Sequence, residues 1–145
     1  MARGSIKIKE LHRKLSDHEF EAAFSNKTLR PGWFTHEAHL RLAFIHIKKY
    51  GLFEAVKNMR YQIKSFAENL GIYDKYHDTV TIAAVYLVNE FMQEADTTSF
   101  DTFLQSGGNA LKDFKGLLKK HYSYNVFKDQ KAREQFVEPD LLSFI

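Results

Sequence analysis

The stretch "THEAHLRLAFIHIKKYG", residues 35–51, decides the fold. Leu40, Leu42, Ala43, Phe44, Ile45 and Ile47 cover most of the circumference of a helix drawn through it. A helix that is apolar nearly all round belongs at the centre of a bundle, because no face of it suits water. Thr35 suits its N-cap, and Gly51 stops it after Tyr50. A second segment, from about Thr79 to Ala95, has the same character through Val80, Ile82, Ala83, Ala84, Val85, Leu87, Val88, Phe91 and Met92. Between them the pattern predicts a helix from about Leu52 to Leu70, ended by Gly71. The turn at Gly51 is too short for anything but an antiparallel pair. The connection over residues 71–78 reverses the chain again, so the two apolar helices are expected to be parallel, with both N-termini at one end of the bundle.

The rest of the chain agrees with an all-α domain. Ser16 followed by Glu19 is a capping-box signature, and Pro31-Gly32 breaks the chain after that helix. A short helix is expected near 99–105, then a break at Ser106-Gly107-Gly108, a helix from about Ala110 to Lys120, and a last helical piece near 127–136. With seven Gly and two Pro in 145 residues there are few places to break a helix, and strand-like alternation is hard to find. The expectation is a single domain over 1–145, a bundle of about five to seven helices.

Composition excludes several classes of protein. Apolar residues make up 44% of the chain and aromatic residues 14%, enough to fill a core, so the chain is not of the disordered class. The absence of cysteine rules out disulfides, thiolate metal sites and cysteine nucleophiles. The opening "MARGSIKIKELHRKL" lacks the apolar core of a signal peptide, and no apolar run reaches the roughly 18 residues of a membrane span, so a soluble, cytoplasmic protein is expected. A net charge of +3, with basic and acidic residues interleaved, is too mild to argue for nucleic acid. The densest basic stretch, "LKDFKGLLKKHY" at 111–122, places Leu111, Phe114, Leu117 and Leu118 at helical spacing with lysines opposite, and reads as a solvated helix face.

The polar residues that break the apolar pattern mark the expected site. His36 and His39 lie three apart on one face of the first apolar helix, and Lys75, Tyr76, His77 and Asp78 crowd the start of the second. Parallel packing would bring all of them to one end. Buried imidazoles need partners, since an unpaired buried polar group costs roughly 1–3 kcal/mol. In a structural reading, each histidine bonds a carbonyl or a tyrosine. In a metal reading, His36, His39 and His77, with Asp78, form a nitrogen-rich set suited to Zn, Fe, Mn or Ni, and the metal activates a water for hydrolysis. In an anion reading, two helix N-termini with Lys75, Arg41 or Arg60 hold a carboxylate or phosphate. Asp78 serves as ligand, as general base or as the N-cap of a helix beginning at Thr79. Tyr122 and Ser123 reach toward the pocket, and Arg133 is expected to pair with Glu138 or Asp140.

The pair His77-Asp78 resembles the dyad of the HD superfamily of metal-dependent phosphohydrolases, over two residues only; Asp96 or Asp101 would have to serve as its downstream Asp. More extensively, "WFTHEAHLRLAFIHI" (33–47), "KYHDTVT" (75–81), "HYS" (121–123) and "AREQFVEPDL" (132–141) resemble the spaced motifs of a family of small, mostly bacterial helical proteins with no established activity. That resemblance spans roughly 20–141 and carries over His36, His39, His77, Asp78 and Thr79 as site positions, with Tyr122, Ser123 and Arg133 beside them. The expected function is therefore a histidine-rich pocket at one end of the bundle. It would bind a small anionic or polar molecule and a divalent metal, and act as a hydrolase-type enzyme. The alternatives are a non-catalytic binding or sensing module, and a structural protein whose histidines are satisfied core groups.

Overall fold

The structure is a computed structural model, described here for residues 9–144. It is 67% helical with no strand among those residues, and seven α-helices pack together. They are α1 (Asp17–Ser25), α2 (His36–Tyr50), α3 (Leu52–Asn69), α4 (Asp78–Met92), α5 (Phe100–Gln105), α6 (Phe114–Leu118) and α7 (Gln130–Glu134), joined in several places by single 3-10 turns. The reciprocal capping box expected at Ser16 and Glu19 starts α1, and the Thr35 hydroxyl caps α2 by accepting from the Ala38 N–H. Gly51, with φ of 86°, is the only residue between α2 and α3. That left-handed backbone is one a side chain rarely tolerates, and it folds α3 straight back along α2.

Helices α2, α3 and α4 pack against one another and form the centre. Leu40, Leu42, Phe44, Met59, Val85 and Leu87 are almost wholly removed from water there. Burial of each such side chain contributes about 1.5–3 kcal/mol, and this drives the three helices together. α2 and α4 run parallel. At one end His36 packs on Phe114 (ring centroids 5.6 Å apart), Phe114 meets Phe127 edge-on (6.4 Å), and Phe127 meets His77 (6.3 Å). At the other end the Lys48 ammonium donates to the carbonyls of Thr97 and Thr98, just beyond α4, at 2.6 and 3.2 Å.

Three elements differ from the sequence reading. The helix expected over 110–120 divides into a 3-10 turn, Gly108–Lys112, and the five-residue α6. Asp113 divides it by capping α6 through the Gly116 N–H, and Gly116 leaves the room: a Cβ there would clash with the Asp113 carboxylate. The helix expected near 127–136 shrinks to α7, because Asn125 caps a separate 3-10 turn over Val126–Lys128. Finally, α4 starts one residue early and ends at Met92, and its N-cap is His77 rather than Asp78.

The C-terminal segment straps these pieces to the core. The Thr79 hydroxyl donates to the Gln135 carbonyl (3.1 Å) and accepts from the Val137 N–H (3.0 Å). Tyr122 donates to the Val137 carbonyl (2.6 Å), and Leu141 N–H donates to the His121 carbonyl (2.9 Å). Phe144 stacks on His121 and on Tyr86. No helix among the described residues is long and apolar enough to cross a membrane.

Candidate functional site

Parallel packing does bring the N-termini of α2 and α4 to one end, but most of the side chains there are already engaged. His77 caps α4: its Nδ1 accepts from the Val80 N–H (3.1 Å), which leaves the proton on Nε2 to donate to the Val126 carbonyl at 2.7 Å. Burial lowers its pKa, so the neutral form dominates. Asp78, the first residue of α4, is buried and takes both prongs of the Arg60 guanidinium, Nε to Oδ1 at 3.0 Å and Nη2 to Oδ2 at 2.9 Å, plus the Tyr76 hydroxyl at 2.7 Å. A metal at this dyad would need a lone pair that His77 has already used and a carboxylate that Arg60 has already neutralised. The residues do not fit one.

The three histidines are not assembled into a ligand set either. His36 Nε2 donates to the Leu111 carbonyl at 3.2 Å, and Phe114 and Phe127 lie in the chain of ring contacts from it to His77. His39 turns to Phe34, ring centroids 5.6 Å apart, and its Nε2 is sealed from solvent with no hydrogen-bond partner. Burial first, and the neighbouring His36 second, push its pKa down to about 4. The anion reading meets a similar obstacle. At the α2 end Thr35 donates to Glu10 (2.6 Å), and the buried Glu37 stands on the first turn, so negative charge from the chain itself already occupies that helix terminus.

The remaining expected site residues serve the C-terminal segment. Thr79 and Tyr122 hold residues 135–137 as described above. Ser123 donates through its N–H (2.9 Å) and its hydroxyl to the Asp140 carboxylate. Arg133 does not pair with Glu138 or Asp140. Its guanidinium points to the carbonyls of Asp74, Lys75 and Tyr76, each at 3.4 Å, and to Phe127 at 3.3 Å, so it ties the approach to α4 to the last helix. Lys75 is exposed and rims a small apolar pocket of about 220 Å³ walled by Phe34, Ile63, Phe66, Leu70 and Tyr76.

One polar cluster at the α2 end was not anticipated. Glu37 receives Arg13 in a two-pronged pair (2.7 and 2.9 Å) and His12 Nε2 at 2.9 Å, while Arg41 binds Asp17 (2.9 Å) and the His12 and Leu15 carbonyls (both 2.8 Å). Burial opposes the Glu37 charge, but the hydrogen bonds from Arg13 and His12 outweigh it and hold the carboxyl below its usual range. His12 itself is wholly buried, and burial lowers its pKa. Among the described residues, only Glu10, His12 and Glu37 form a group of three metal-capable side chains with ligand atoms mutually within 4.8 Å. The tautomer argues against their use. Arg41 Nη1, which can only donate, lies 3.2 Å from His12 Nδ1, so Nδ1 accepts and the proton sits on Nε2, the atom a metal would need. This is a self-satisfied network that fastens the N-terminal segment to α2. The sequence did hold a signal for it: Glu37 and Arg41, four apart on a helix otherwise apolar all round, require buried partners, and "LHRKLSD" (11–17) supplies them.

A separate cleft includes Val126, the residue whose carbonyl His77 holds. This cleft, of about 790 Å³, opens between α6, the segment 119–128 and the C-terminal strap. Leu118, Tyr122, Val126, Phe127 and Leu141 form its apolar surface, and Lys115, Lys119 and Lys128 stand around it. The Lys115 ammonium lies 5.6 Å over the Phe127 ring. The lysines of 111–122 are solvated, as the sequence pattern predicts, and two of them, Lys115 and Lys119, also border the concavity, because α6 ends after five residues and the chain turns back over it.

No family model, curated protein or solved structure matches the chain.

Proposed function

We propose that this protein is a small-molecule binding module whose ligand seat is the cleft beside α6. The observation that carries this reading is the cleft itself: about 790 Å³, mostly apolar, with a few polar groups, which lies in the usual range of some 300–1,000 Å³ for small-molecule sites. Binding without chemistry is favoured because the reactive groups nearby are committed to structure. The Ser123 hydroxyl donates to Asp140, while His121 turns Nδ1 to the Leu142 carbonyl (2.7 Å) and its face to Phe144, so hydroxyl and imidazole form no nucleophile–base pair. Burial pushes the Tyr122 phenol well above its usual pKa, and its proton is given to Val137, which removes it as an acid or base near neutrality. The histidine-rich end then serves to hold the cleft's back wall in place, through the bond from His77 to Val126.

The test is a fragment screen followed by amide chemical-shift mapping. Binding should perturb a contiguous set within 115–128 and 141. Perturbations centred instead on His36 and His39, or an absence of any saturable ligand, would overturn the reading.

A further inference from the structure

We infer that the ligand is an amphipathic organic anion, with an apolar body against the floor of the cleft and an anionic head among the three lysines. This rests on the cleft being the ligand seat. The floor and the rim differ in chemistry. Phe127, Tyr124 and Leu141 present apolar surface to the cleft, backed by the almost wholly buried Leu118, Tyr122 and Val126, and a purely polar ion such as free phosphate cannot use that surface. The rim holds Lys115, Lys119 and Lys128, all exposed, and no acidic side chain lines the cleft. None of the three ammonium groups has a carboxylate partner among the described residues; of the described lysines only Lys49 and Lys57 do. Like charges gathered round one concavity repel each other in the empty protein, and an anion relieves that repulsion. The acids stand just outside the lining: Asp140, held ionised by the Ser123 N–H and hydroxyl, and Glu138 act on Tyr122, and Asp129 and Asp140 act on Tyr124, but none of them pairs with the three lysines.

The chain's own N-terminal segment lacks the chemistry to fill the site. Residues 1–8 contain Arg3 and Lys7 and no acid. A neutral apolar molecule would leave the rim charges unanswered.

The experiment uses two fluorescent probes with the same ring system, the anion 1-anilinonaphthalene-8-sulfonate and the uncharged N-phenyl-1-naphthylamine. The full chain should bind the sulfonate saturably at one site and at least about tenfold more tightly than the neutral probe, with only the sulfonate weakened by added salt. The triple variant Lys115→Gln, Lys119→Gln, Lys128→Gln alters exposed residues only and should fold normally by circular dichroism. It should lose that preference and keep its affinity for the neutral probe. Equal affinity for the two probes, or an anion preference that survives in the triple variant, would overturn the inference while leaving the cleft as a ligand seat. Failure of both probes to bind at residues 115–128 would remove the seat itself.

Discussion

The most informative single perturbation is Asp78→Asn. Asp78 Oδ1 accepts from Arg60 Nε and from the Tyr76 hydroxyl, and Oδ2 accepts from Arg60 Nη2. Asparagine keeps one acceptor and turns the other into an N–H₂ group. With its oxygen toward Nε and Tyr76, the new N–H faces Nη2, donor against donor; with the amide flipped, two donors are opposed instead of one. A hydrogen bond to a charged group nets about 1.5–3 kcal/mol. Arg60 is 45% exposed and can turn to water, so solvent screening brings the expected cost down to about 2 kcal/mol. Urea unfolding followed by circular dichroism should show this as a lower midpoint at unchanged slope. A double-mutant cycle with Arg60→Met should return a coupling of about 1 kcal/mol, in the range measured for pairs with one exposed partner. Phe44→Ala, which empties part of the central core, should cost more, about 3–5 kcal/mol. An Asp78→Asn cost within about 0.5 kcal/mol of zero would refute the argument. That is the outcome if Asp78 merely capped α4, since Asn caps as well as Asp.

Two further predictions concern the ends of the bundle. The folded-state pKa of His39, about 4, lies below its unfolded value of 6.5, so the unfolded chain takes up the proton first and stability falls as pH drops through that interval. At about 1.4 kcal/mol per pKa unit, His39 accounts for a loss of about 1–2 kcal/mol between pH 7 and pH 5; His39→Leu should flatten this part of a stability–pH curve, and a variant whose curve keeps the same slope would show that His39 ionises freely in the fold. Thr79→Val removes both hydrogen bonds to residues 135–137 and should cost about 1–2 kcal/mol, with faster amide exchange confined to the last ten or so residues; unchanged exchange there would mean that the aromatic stacking of Phe144 holds the strap alone.

The central architecture was legible because it depends on local pattern and chain length. All-round apolarity in α2 and α4, a glycine stop at 51 and a short connection leave few ways to pack three helices. Helix ends were less legible where a side chain competed with the expected cap. His77 rather than Asp78 caps α4 because Asp78 is drawn to Arg60, eighteen residues away, and the pattern around position 78 carries no trace of that partner.

The candidate site shows the same division. Sequence brought His36, His39, His77 and Asp78 to one end of the bundle, since topology is a property of helix lengths and turns. It could not give their orientation, because a histidine's role depends on which atoms lie within about 3 Å of each ring nitrogen. Those atoms are the carbonyls of Leu111 and Val126, both distant in the chain. The lysines of 111–122 likewise read as a solvated face in any sequence window. That face is solvated, and only the early end of α6, and the return of the chain from Lys119 to Lys128 with Leu141 alongside, set its Lys115 and Lys119 beside a cleft. Helix, turn and burial pattern are set by neighbours in sequence; concavity and hydrogen-bond partnership are set by neighbours in space, and in this protein the latter decide where a cleft forms.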